Sequence, residues 1–95
     1  MYAVIRRYES APALFDELAR REQDVRDVIL SVPGFVAYYL VRSGDGGASI
    51  TICQDQAGTA ESSRRGRDWI VENLPDVTGT APELTEGEVL FNFGQ

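Results

Sequence analysis

The 95-residue chain is expected to fold as one α+β domain over residues 1–95, ferredoxin-like in its β-α-β-β-α-β order, with an antiparallel sheet. Three observations predict this. Runs rich in β-branched and aromatic residues occur near the start, in the middle and at the end of the chain. Two segments between them have helical spacing of apolar residues. A glycine-rich turn joins the two middle strands. The length leaves room for one core only.

Tyr2-Ala3-Val4-Ile5-Arg6-Arg7-Tyr8 reads as the first strand, ending at Ser10-Ala11-Pro12, with Ser10 a plausible N-cap for the first helix. From Pro12, Leu14, Leu18, Val25, Val28, Ile29 and Val32 recur at helical steps between charged residues, which predicts one long amphipathic helix. Pro33-Gly34 ends it, because proline lacks the backbone donor and glycine accepts the reversal. Phe35 to Val41 has no polar alternation, as expected of a strand covered on both faces. Ser43-Gly44-Asp45-Gly46-Gly47 is the turn, and Ala48 to Gln54 returns as a strand with Ile50 and Ile52 on one face. Asp55 to Thr59 opens a second helix. Ala60, Ser63, Gly66, Ile70 and Leu74 fall along one of its faces, with Trp69 beside it, and Leu74-Pro75 closes it. A polar loop is expected through Pro82, and Val89-Leu90-Phe91-Asn92-Phe93 is expected as the last strand.

Composition narrows the function. Fifteen carboxylates stand against nine basic residues, all arginine, for a net charge of −6, so phosphate backbones are mostly repelled. Ser49-Ile50-Thr51-Ile52-Cys53 lacks the aromatic and basic residues that RNA-recognition modules of the same element order carry on their third strand. Nucleic acid is therefore not an expected partner. The chain has no histidine, which removes the commonest general base and metal ligand together. Glu86 and Glu88, without a third ligand, make no metal site, and the glycine turn lies between two strands, so it is not a phosphate loop. No metal and no cofactor are expected. Cys53 is the single cysteine and reads as a small buried hydrophobe. With no export signal and no membrane span, a cytoplasmic location is expected.

Helices connected in this order cover one sheet face, yet both faces of the Phe35–Val41 strand are apolar. The second face is expected to be covered by a second copy, giving a homodimer through the sheet.

The opening Tyr2–Tyr8 run, the Pro33-Gly34-Phe35-Val36-Ala37-Tyr38-Tyr39 passage and the helix around Trp69-Ile70-Val71-Glu72-Asn73-Leu74 resemble the dimeric α+β barrel superfamily. Within it they are most similar to antibiotic-biosynthesis-monooxygenase-like domains of bacteria. The resemblance covers nearly the whole chain and rests on fold signatures, so it implies a fold before it implies a reaction. It implies that Trp69 faces a cavity between helix and sheet, although ordinary core packing explains a tryptophan more simply. Haem-degrading relatives pair that tryptophan with a histidine on the same helix and an asparagine on the first strand. This chain has neither, so haem degradation of that kind is not expected.

The ligand-binding candidates are Trp69, Tyr38, Tyr39, Gly66, Arg65 and Asn73. Alternation sends Tyr38 and Tyr39 to opposite faces, so one of them faces the helices. Gly66 costs its helix about 1 kcal/mol relative to alanine, which close helix-to-sheet packing or room for a ligand could explain, the former more simply. Arg64, Arg65 and Arg67 are scattered around the helix and have Glu61, Asp68 and Glu72 within pairing distance, so a solvated face explains them better than an anion site. Asn73 reads most simply as a cap or surface residue.

Three functions are compatible with these residues. The first is a small-molecule-binding dimer, its ligand a small aromatic molecule. The second is a cofactor-independent monooxygenase acting on a phenolic or quinol substrate, with Tyr38, Tyr39, Arg65 and Asn73 as candidate base or donors. The third is an assembly subunit without a ligand. The first two require a pocket beside Trp69.

Overall fold

The computed structural model describes residues 1–77 and 81–94. Strand β1 (Tyr2–Tyr8) leads into helices α1 (Pro12–Arg20) and α2 (Glu22–Leu30). Strands β2 (Phe35–Ser43) and β3 (Gly46–Cys53) form the hairpin, followed by α3 (Gln56–Asn73), a 3-10 turn at Pro75–Val77 and β4 (Glu83–Glu88). The sheet order is β2-β3-β1-β4, with every neighbouring pair antiparallel. The ferredoxin-like fold and the four-stranded antiparallel sheet are as the sequence predicts.

Three details differ from expectation. The first helical segment is two helices, broken at Arg21 (φ −111°, ψ 41°), which ends α1 and precedes α2. The apolar stripe has no member between Leu18 and Val25, so no buried side chain holds that turn against the sheet. Ser10 is not the cap: Ala11 precedes α1, without a side-chain cap hydrogen bond, and its backbone N–H instead donates to the Asp45 carbonyl at 2.7 Å.

The last strand is the polar Glu83–Glu88, not Val89–Phe93. It pairs with β1 from Arg7↔Glu83 to Tyr2↔Glu88, and the Val89 N–H then donates to the Met1 carbonyl. Beyond that the ladder has no partner residue left, because β1 begins at Tyr2. A polar composition suits the edge position that β4 holds. Phe91 and Phe93 consequently lie outside the sheet, stacked on each other at 5.8 Å and 77% and 87% exposed. The loop expected through Pro82 falls partly, at residues 78–80, outside the described residues.

The core lies between helices and sheet, built from Ala11, Leu14, Phe15, Leu18 and Leu74, with Tyr8, Leu40, Trp69 and Ile70 packed against it. Tyr8 meets Phe15 edge-on at 5.8 Å. Cys53 is fully buried, and burial raises its thiol pKa further, as befits a packing residue. Where α3 starts, Asp55 caps it by accepting from the Gly58 N–H at 2.9 Å. A Cβ at Gly58 would stand 2.8 Å from the Cys53 Cβ and 2.9 Å from the Pro33 carbonyl. Here the helix lies closest to the sheet. Among the described residues no helix is long and apolar enough to cross a membrane.

Candidate functional site

Because the start of α3 is pinned at Gly58 and Trp69 and Ile70 pack on the core, a cavity of about 590 Å³ opens between sheet and helices. Its helical walls are apolar on α1 and α2, with Leu14, Leu18, Val25, Val28 and Ile29, and mixed on α3, where Trp69, Ile70 and Val71 stand beside Ser62, Ser63 and Arg67. Its floor is the helix-facing side of the sheet, where Arg6, Tyr8, Tyr38, Leu40, Ser49 and Leu84 contribute side chains. The volume is that of a pocket for a small organic molecule.

Of the residues that the sequence nominates, Trp69, Tyr38 and Gly66 line this cavity. At Gly66 an added Cβ would meet no heavy atom within 4 Å, so close helix-to-sheet packing, the simpler explanation on sequence grounds, does not hold there. The close approach is at Gly58, two turns earlier. Tyr39 lies on the opposite sheet face, paired across to Ile50 and about half exposed. Arg65 is held away from the cavity by Glu61, at 2.6 Å, and by the Ser31 carbonyl, at 2.6 Å, tying α3 to the end of α2. Asn73 is exposed and donates to the Trp69 carbonyl at 3.0 Å. The expected buried stripe of α3 also changes in its first half: Ala60 is exposed, whereas Gly58, Thr59 and Ser62 are buried.

That shift leads to Arg6, a site residue that is not among the sequence candidates. Arg6 lies on β1 between Val4 and Tyr8 on the helix-facing side, and its guanidinium is received by hydroxyls alone. It donates to Ser49 (3.2 Å) and Thr51 (3.0 Å) on β3 and to Ser62 (2.8 Å) and Ser63 (2.9 Å) on α3. On α3 the buried Ser62 and the half-buried Ser63 receive this cation, while the buried Thr59 hydroxyl donates to the Gln56 carbonyl. The pattern is present in the sequence: strand alternation places Arg6 with Val4, and Ser62 and Ser63 fall where a buried helix face would otherwise be apolar. Burial lowers the Arg6 pKa from its ordinary value, with the nearby Tyr38, Tyr8, Glu86 and Cys53 opposing that shift.

The Tyr38 pKa is raised by burial, against the opposing pull of Arg6 and a hydrogen bond with Ser49, so the phenol stays protonated and able to donate at neutral pH. Tyr8 is shifted upward for the same reason. None of the lining residues is a carboxylate, a histidine or a cysteine. The site offers donors, the half-buried charge of Arg6 and the exposed charge of Arg67, but among the described lining residues no side chain suited to take up a proton at neutral pH.

Solved structures share this fold across nearly the whole chain. A mutant of MhuD with two manganese protoporphyrin IX molecules bound per active site is 18% identical, with 100% of each chain covered and a TM-score of 0.75. A mutant of SnoaB, a cofactor-independent oxygenase from Streptomyces nogalater, is 16% identical over 99% of this chain and 95% of its own, with a TM-score of 0.62. A dimeric ferredoxin-like protein from an uncultured marine organism is 10% identical over 99% and 96%, with a TM-score of 0.66. The fold is therefore that of the dimeric ferredoxin-like and antibiotic-biosynthesis-monooxygenase-like proteins. No family model matches the chain. No curated protein matches it either.

Proposed function

We propose that the protein binds a small, planar, largely apolar molecule in the cavity beside Trp69. The observation that carries this reading is the cavity itself: about 590 Å³ of space, walled largely by aliphatic side chains and Trp69, with polar groups from the sheet (Arg6, Tyr8, Tyr38, Ser49) and from α3 (Ser62, Ser63, Arg67). A domain serving assembly alone has no need of such a space, since small proteins otherwise pack their interiors to crystal-like density. Trp69 is the only tryptophan, so its fluorescence reports on the cavity. Titration with a polycyclic aromatic such as anthracene-2-carboxylate is expected to quench it saturably and to raise the melting temperature. No saturable change across a panel of two- and three-ring aromatics would contradict the reading.

A second reading, the cofactor-independent monooxygenase, is favoured by the fold shared with SnoaB and by the Arg6 charge, which would stabilise a phenolate awaiting dioxygen. The absence of a base among the lining residues restricts it to substrates acidic enough to ionise unaided. Dioxygen uptake with purified, metal-free protein and anthrones or quinols tests it. Uptake at the buffer-only rate counts against it.

The partner we propose is a second copy. On the face away from the helices, Ile5 of β1 pairs across to Ile50 of β3, which pairs with Tyr39 of β2, and Val41 extends the apolar row. Ile5, Tyr39 and Val41 are exposed, as are Leu90, Phe91 and Phe93 beyond β4. Two such faces packed about a two-fold axis would cover one another, the arrangement suggested by the dimeric ferredoxin-like neighbour.

A further inference from the structure

Arg6 is chemically incomplete within this chain. A guanidinium keeps its charge at every accessible pH, and taking it out of water is costly unless an anion lies beside it. Arg7, Arg42, Arg64 and Arg65 each meet a carboxylate within 2.6 Å. Arg6 does not: its partners are the neutral oxygens of Ser49, Thr51, Ser62 and Ser63, and among the described residues no carboxylate hydrogen-bonds or ion-pairs with it. Glu86, exposed on the edge strand, attracts it only through space. Acids are not scarce in a chain with 15 of them, yet among the described residues none lines the cavity. The four hydroxyls hold the guanidinium in place and leave its charge uncompensated at the cavity floor.

Resting on the proposed ligand cavity, we propose that Arg6 is the anion-recognition residue of the site and that the ligand is an aromatic molecule carrying one oxyanion. The aromatic body would lie among Trp69, Ile70 and the aliphatic side chains of α1 and α2, with its oxyanion toward Arg6. Tyr38 and Ser63, which also line the cavity, supply hydroxyl donors beside the charge. The oxyanion lowers the cost of the half-buried cation, and the cation selects against neutral analogues of the same shape.

Two matched pairs test this by calorimetry at neutral pH: 2-naphthoate against 2-naphthamide, and the ionised enol 2-hydroxy-1,4-naphthoquinone against its methyl ether. The wild-type protein is expected to bind the anion of at least one pair ten-fold or more tightly than its neutral partner, and which pair does so separates a carboxylate from an acidic enol. In Arg6→Gln the preference should fall below about two-fold while the neutral compound still binds. Arg6→Lys, which retains the charge should the glutamine variant fail to fold, should keep a preference. Arg26→Gln removes an exposed cation of α2 that does not line the cavity and should leave the preference unchanged. Wild-type protein binding the neutral partners of both pairs as tightly as the anions, or a preference that survives in Arg6→Gln, would overturn the assignment while leaving the ligand cavity intact. Binding of none of the four compounds would overturn both.

Discussion

A methyl group added at Gly66 and one added at Gly58 have opposite expected effects, although both glycines belong to α3. At Gly66 there is open space, so Gly66→Ala should stabilise the protein by about 0.5–1 kcal/mol through helix propensity, measured by urea unfolding. Gly66→Leu, a larger side chain on the cavity wall, should weaken binding of an aromatic probe more than ten-fold without loss of stability. At Gly58 the added carbon would press on Cys53 and on the Pro33 backbone, so Gly58→Ala should cost about 1–3 kcal/mol. Sequence alone assigns a cost to a helical glycine but does not say which of the two is pressed against the sheet. Arg6 shows a similar limit. Its face is legible from alternation with Val4 and Tyr8, but what receives the charge depends on Ser62 and Ser63, 56 and 57 residues away. The arginines that draw the eye in sequence are the clustered Arg64, Arg65 and Arg67, and these are paired on the helix surface.

Among the elements, α3 is fastened to α2 through one half-buried carboxylate. Glu61 accepts from Arg64 and Arg65, whose hydrogen bonds hold its pKa down at about 2 from an ordinary 4.5, and Arg65 passes the connection to Ser31. A carboxylate with a depressed folded pKa contributes stability that is present above its unfolded value and is lost as pH falls through the folded one. The difference in urea midpoint between wild type and Glu61→Gln should therefore be largest above pH 4.5 and shrink toward pH 2. A difference independent of pH would contradict this. The strands of the hairpin are readable in sequence because apolar runs and Gly44-Asp45 are local patterns. The last strand is not, since Glu83–Glu88 owes its conformation to pairing with β1, and hydrophobicity points to Val89–Phe93 instead. The break at Arg21 is concealed likewise, because helical periodicity continues on both sides of a one-residue interruption.

For the whole molecule, one sheet face is covered by three helices and floors the cavity, while the other presents Ile5, Tyr39 and Val41 to water. Light scattering at micromolar concentration should give twice the chain mass, and Tyr39→Asp, which places a charge at the centre of that face, should give the monomer. A monomeric wild type would contradict the pairing, while the cavity lined by Arg6, Tyr38 and Trp69 is tested by ligand titration. Everything proposed for the site depends on a ligand entering between helices and sheet. Amide and indole NMR shifts of the protein titrated with 2-naphthoate test this most directly. Shifts are predicted to concentrate at Arg6, Ser63, Gly66 and Trp69 and to leave Ile50 and Val41 unmoved; shifts confined to Ile5, Tyr39, Val41 and Ile50, or none at all, would contradict it.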